Sequence, residues 1–177
     1  SAMSVIIRAG KRALARIRKN GLSQDDIDLF LGASGGPKCL ILNGLDRAIF
    51  GTWFKERKKP LTMIGSSIGC YRISALAQKD PVEAITRFGE RYAAQRYSDK
   101  PDAKQISDEA RAILGDYAGA DAVQEILTHP FMRVHFIAAR ARGIGASDFA
   151  PLMAPHFAAA CLCNFFSRAS LNLFFER

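Results

Sequence analysis

The residues best placed to do chemistry fall in two short stretches. The first is Gly65-Ser66-Ser67-Ile68-Gly69, which follows the apolar run Leu61-Thr62-Met63-Ile64. A serine with glycines two positions before and after it has the spacing of a nucleophile elbow, a sharp turn from strand to helix. That turn lifts the hydroxyl above the sheet edge and compresses the flanking backbone, so positions 65 and 69 tolerate little beyond hydrogen. The following helix aims its free N–H groups and positive dipole end at developing negative charge. The chemistry would be nucleophilic attack by Ser67. The other reading is an ordinary strand–turn–helix whose small residues only make the turn.

The second stretch is Ala33-Ser34-Gly35-Gly36-Pro37-Lys38, which follows the short strand pattern Asp28-Leu29-Phe30-Leu31-Gly32. Adjacent glycines let backbone N–H groups approach a ligand or form an anion-binding nest. Pro37 suits the first position of a helix. Lys38, a cation in the first helical turn, opposes the dipole and makes sense if an anion or oxyanion visits the loop. A solvated lysine in a flexible turn is the plainer alternative. A phosphate-binding P-loop needs Gly directly before the lysine and Ser or Thr directly after it. Pro37 and Cys39 occupy those positions, so that motif is excluded.

These stretches need elements to position them. The strand at 28–32, a crossover helix with Leu42, Leu45 and Ile49 on one face, and the strand at 61–65 form a βαβ unit. Its strands are expected to be parallel neighbours with their C-terminal ends on one edge. The 33–38 loop then lies beside Ser67, where an acyl oxyanion would form. Backbone N–H groups of Gly35, Gly36 and Ile68 are the expected oxyanion donors, and Lys38 adds positive potential.

Further along, the helix after Ser67 continues through Ile73, Leu76 and Ala77. Asp80-Pro81-Val82-Glu83 is a capping-box start, with Val82, Ile85, Phe88 and Tyr92 as an apolar face. Ser107 is read as opening a second helix and Asp121 as capping a third. These helices, within 80–128, are expected to form an insertion or lid-like layer. Arg133 to Ala139 reads as a strand and Gly143 with Gly145 as a turn. Phe157, Cys161, Phe165, Ala169 and Leu173 line one face of a last helix. Before all of these, residues 5–19 form a basic amphipathic helix. Ile6, Ala9, Ala13, Leu14 and Ile17 make its apolar stripe, and Asn20-Gly21 stops it. Such a helix can lie on a membrane, but covering a sheet is its commoner role.

Composition bounds the rest. A chain of 177 residues, 49% of them apolar, is the size of one domain with a real core. No stretch reaches the ~18 apolar residues of a membrane span. Phe157 to Phe175, the most apolar, is interrupted by Asn164, Arg168 and Asn172. Cys39, Cys70, Cys161 and Cys163 do not resemble a disulfide framework. Cys161-x-Cys163 has no second ligand pair, so buried, reduced thiols and a cytoplasmic protein are expected, with no metal and no cofactor. The net charge of +8 suits anionic lipid surfaces. Without RNA-binding motifs or interleaved aromatics, no nucleic-acid partner is expected. His129, His135 and His156 all follow Ser67, and none has a spacing that assigns it to a catalytic triad.

The pairing of Gly35-Gly36-Pro37-Lys38 with Gly65-Ser66-Ser67-Ile68-Gly69 resembles the patatin-like phospholipase family, over roughly the first half of the chain. The family's usual acidic residue and first glycine are replaced by Ala33 and Ser34. The resemblance implies an α/β three-layer sandwich with a mostly parallel central sheet. It implies a serine esterase that cleaves lipid acyl esters, with Ser67 as nucleophile, while peripheral contact with an anionic membrane is expected from the charge. The family pairs its serine with an Asp in Asp-Gly-Gly or Asp-Gly-Ala. No Asp in this sequence precedes a Gly, and Asp148 is the least poor substitute. The Asp is therefore expected beyond Arg177, the chain being an N-terminal portion of one acyl hydrolase domain and inactive by itself. A non-catalytic lipid- or anion-binding module that keeps the elbow is the alternative.

Overall fold

Three parallel strands set the frame on which the two glycine-rich stretches meet. The computed structural model describes residues 6–147 and 149–176. Strands β1 (Leu29–Gly32), β2 (Leu61–Ser66) and β3 (Met132–Ile137) lie in the order β1-β2-β3, all parallel. Phe30, Met63 and Val134 stand in register across the sheet, and Gly32 stands opposite Gly65. The chain is thus α/β, with the βαβ unit read from the sequence in place.

The β1–β2 crossover is not the single α-helix expected. It begins as a 3-10 helix over Gly36–Leu42, becomes α2 (Asn43–Ala48) and ends in a π-helical turn over Ile49–Trp53. Each change of winding rotates the inward face. The buried residues are therefore Asp46, Phe50 and Phe54, while Leu42 and Ile49 are half-buried and Leu45 is exposed.

Helix α3 (Ile68–Leu76) follows β2 and packs on β1 and β2. Behind it come α4 (Pro81–Ala94), α5 (Ala103–Tyr117) and α6 (Ala122–Leu127). Asp80 caps α4 by accepting the Glu83 N–H at 2.9 Å. Asp102 caps α5 by accepting the Gln105 N–H at 2.6 Å, so that helix starts four residues before the expected Ser107. Asp121 stands at the start of α6, but its side chain bonds no helix N–H. Helix α4 packs on α3 and α5 on α4, and Ser67 stays exposed. These helices back the elbow helix and leave the serine uncovered. Phe88 and Tyr117 meet edge-to-face at 5.3 Å in the middle of this layer. Arg91 of α4 holds Glu109 at 2.8 Å and Asp116, both on α5.

Both faces of the sheet carry apolar side chains, but one face is largely buried and the other mixes apolar with polar residues and is open. Leu61, Met63 and Met132 face the helices and are buried. Leu29, Leu31 and Ile137 point the other way and are exposed. The chain exposes 12496 Å², against about 8,500 Å² for a compact chain of its mass. Helix α1 (Lys11–Asn20) is not among the elements packed on the sheet, and none of its residues is buried. The expectation that this segment covers the sheet is therefore corrected. The helix also begins later than read, because Gly10 is its N-cap.

The C-terminal segment packs mainly on itself. Helix α7 (Ala150–Phe166) is followed by a 3-10 helix over Arg168–Leu173, and β4 (Arg140–Ala141) pairs antiparallel with β5 (Phe175–Glu176). The expected last helix thus breaks at Ser167, whose backbone is extended, and Ala169 and Leu173 fall in the 3-10 turn. His156 and Ala160 are the buried residues of α7, while Phe157, Cys161 and Phe165 are exposed. The four cysteines are free but not buried as expected: Cys161 is exposed and the others are half-buried.

Two arginines fasten the layers. Arg57 is buried with no acidic partner among the described residues, and its guanidinium donates to the carbonyls of Gln24, Ile27, Lys59 and Pro60. It thereby ties the entry to β1 to the entry to β2. Arg72 of α3 makes a two-pronged ion pair with Asp46 of α2, its Nε 2.6 Å from Oδ2. Arg72 also lies 4.9 Å from the centre of the Phe30 ring. Both charges are buried, so removing one strands the other. Asp46→Ala should lower unfolding free energy by about 3–5 kcal/mol in urea titrations. The double change Asp46→Leu, Arg72→Met should cost clearly less.

His129 sits before β3 and its Nδ1 accepts the N–H groups of Phe131 (3.3 Å) and Met132 (3.0 Å). Burial, and then the Arg133 charge, hold its pKa below the usual histidine value. The unfolded chain therefore binds the proton more readily. This contribution is complete above the unfolded value, about 6.5, and is lost as pH falls through the lower folded value. Stability measured at pH 8 and pH 5 should differ less in His129→Gln than in the parent chain.

Candidate active site

Ser67 joins β2 to α3 with φ 54° and ψ −128°, the one positive φ at a non-glycine residue among the described residues. Such a conformation costs about 1–3 kcal/mol and persists only where the surroundings enforce it. Here the enforcement is visible. A Cβ on Gly65 would lie 2.8 Å from the Cys70 Cα and from the Ile73 Cδ1. A Cβ on Gly69 would lie 1.9 Å from the carbonyl oxygen of Gly32, and one on Gly32 would lie 2.6 Å from that of Gly69. Helix α3 thus crosses the ends of β1 and β2 over a strip with no side chains, and the turn at 67 leads onto it. Both glycines of the motif are needed for the reason the spacing implied. Gly32, a third member of the contact, was read only as a strand residue.

The serine hydroxyl is exposed at the C-terminal edge of the sheet and makes no bond to the helix it precedes. The Ser67 carbonyl accepts the Cys70 N–H at 2.8 Å. Ile68 is the first residue of α3, with its side chain buried and its amide in the first turn, where no intrahelical acceptor exists. The start of α3 therefore faces the edge with the partial positive charge a helix N-terminus carries.

The glycine-rich loop reaches the same edge. Ser34 Oγ lies 3.0 Å from Ser66 Oγ and 3.3 Å from the Ser66 carbonyl, within donating distance of both. The bond fastens the loop to the residue just before Ser67. Sequence reasoning treated Ser34 only as a departure from a glycine and gave Ser66 no role. Gly36 has φ 54° with open space around it, so glycine is required there by backbone conformation and not by crowding. Gly35 precedes the 3-10 turn, Pro37 is its second residue and not the first as expected, and Lys38 is exposed. The fold thus brings Ser67, Ile68 and the loop carrying Gly35, Gly36 and Lys38 to one sheet edge.

Family models, curated proteins and solved structures give no match to this chain.

The other candidates lie elsewhere. His129 is a backbone acceptor at the start of β3, at the opposite edge of the sheet. His135 is on the sheet face turned away from α3, and His156 is packed against Phe157, Phe174 and Phe175. Asp148 lies outside the described residues. Cys70, three residues beyond the serine, is half-buried, and burial pushes its thiol pKa up, so it stays protonated at neutral pH. A thiol so held does not compete with Ser67 as nucleophile. Among the described residues no three His, Cys, Asp or Glu side chains are grouped closely enough to hold a metal. No helix among them is long and apolar enough to cross a membrane.

The two kinds of glycine should respond differently to a methyl group. Gly69→Ala drives a carbon into the backbone of β1 and should cost at least the upper part of about 1–3 kcal/mol, or abolish folding. Gly36→Ala meets only the left-handed backbone penalty of roughly 1–2 kcal/mol. Urea titration of both variants checks the order.

Proposed function

We propose that this chain carries the nucleophile and oxyanion loop of a patatin-like serine acyl hydrolase that cleaves lipid acyl esters in the manner of a phospholipase or lysophospholipase. The observation that carries the reading is the backbone of Ser67: a strained residue, exposed, at the junction of a parallel strand and a helix. A chain bears that strain where it holds a group in a required direction. Support comes also from Ser34, which moors the glycine-rich loop to Ser66.

In this reading the Ser67 oxygen attacks the ester carbonyl carbon and its proton passes to a general base. The carbonyl oxygen takes the negative charge and is held by N–H groups of Gly35, Gly36 and Ile68, with Lys38 adding positive potential. Collapse of the tetrahedral intermediate breaks the ester C–O bond, releases the alcohol and leaves an acyl-enzyme. Water then adds to the acyl carbon, and the fatty acid departs as the Ser67 oxygen regains a proton. The base this reading requires would be an Asp of the family's Asp-Gly-Gly or Asp-Gly-Ala type, which the sequence does not contain. Serine without an activating neighbour is a weak nucleophile. A full three-layer sandwich would also cover the face that carries Leu29, Leu31 and Ile137.

The test is a fluorophosphonate probe applied to the full-length protein. Covalent label on Ser67, and its loss in Ser67→Ala, is the expected result. Labelling that persists in Ser67→Ala overturns the assignment. Absence of labelling and of esterase activity in a protein that still binds lipid leaves the non-catalytic module as the better reading. Truncating an oxyanion contact typically costs ~10²–10³ in rate, and a Ser34→Ala variant that frees the loop should lose turnover of a p-nitrophenyl ester while keeping the fold.

A further inference from the structure

Helix α1 is only lightly held against the rest of the described chain. None of its residues is buried, it is not among the elements packed on the sheet, and Arg16 pairs with Asp26. A groove of about 620 Å³ lies open between its apolar stripe and the segment carrying Leu22 and Ile27. Leu14 and Ile17 are only half-covered, and just ahead of the helix Ile6 and Ile7 are 82% and 55% exposed. The segment also carries Arg8, Lys11, Arg12, Arg16, Arg18 and Lys19, all exposed, of which Arg8, Arg12 and Arg16 rim the groove, and the sequence has no acidic residue before Asp25.

We infer that α1 with Ile6 and Ile7 is a docking element for an anionic lipid surface. Its charge is of one sign, which complements phosphate-bearing headgroups. Its apolar stripe and the two isoleucines supply the buried part that a helix lying in an interface requires. At ten residues it is far too short to span a bilayer. The absence of any aromatic side chain from residues 6–22 removes the stacking platform that single-stranded nucleic acid uses. The inference stands on α1 itself. What it adds to the hydrolase reading, a means of bringing Ser67 to an ester-bearing surface, rests on that reading.

Sedimentation of the full chain with vesicles tests it. The chain should bind vesicles of phosphatidylcholine with phosphatidylglycerol, bind pure phosphatidylcholine far less, and release as salt is raised. Changing Arg8, Lys11, Arg12, Arg18 and Lys19 to Gln should weaken binding by roughly fivefold per charge. Arg16 is kept because it holds Asp26. Ile6→Ser with Ile7→Ser should weaken binding by about tenfold or more. Circular dichroism and urea midpoints like those of the parent establish that each variant is folded. Failure to bind anionic vesicles, equal binding to neutral ones, or binding unchanged in the glutamine variant overturns the inference. So does binding to RNA or self-association through α1 without vesicle binding. Vesicle binding is read without ester turnover, so its failure leaves the Ser67 reading intact, and failure of serine labelling leaves this one.

Discussion

The backbone of Gly69 at the start of α3 and that of Gly32 at the end of β1 touch with no side chain between them, and the rest of the edge follows from that contact. The helix leaves β2 through a tight turn in which Ser67 takes a positive φ. The same closeness sets the first turn of α3 directly over the strand ends, with Ile68 buried beneath it. Strain at one residue is thus balanced by close packing at three glycines, and the side chain that bears the strain is the one left facing outward. Ser34 completes the edge from the β1 side through its contact with Ser66.

Two arginines keep this geometry from relaxing, by different means. Arg72 pairs with Asp46 and so pins the elbow helix to the crossover, which fixes the glycine-rich loop at its far end. A buried pair of this kind adds little net stability against apolar replacements, but losing either partner leaves the other charge buried and unpaired. Arg57 uses no carboxylate among the described residues. Four carbonyls share its charge, and they belong to the segments that enter β1 and β2. The two strands are thereby clamped at one end by a guanidinium and at the other by the glycine contact.

Much of this was legible in the sequence because it follows from short-range rules. The strand patterns at 28–32 and 61–65, their parallel pairing and the glycines around Ser67 were readable since each depends on a few neighbouring residues. What was not readable depends on partners far along the chain. The crossover face was misassigned because its winding changes twice, and nothing in Leu42, Leu45 and Ile49 announces that Asp46 will turn inward to meet Arg72. Gly32 looked like any strand residue until α3 was placed above it. Asp102 could have been found as the cap of α5, since Asp followed three residues on by Gln is a helix-start signal. Helix α1 was read as a cover because its periodicity says only that one side is apolar, not what that side meets.

The uneven sheet has a practical corollary. One flank is covered by helices over most of its length, and its buried residues Leu61, Met63 and Met132 contribute to the stability of the fold. The other flank shows Leu29, Leu31 and Ile137 to water, and exposed apolar side chains of this kind favour adhesion between molecules. Folding strength and colloidal behaviour therefore draw on separate sets of side chains, and polar replacements on the wet flank can improve handling while leaving the melting transition where it was.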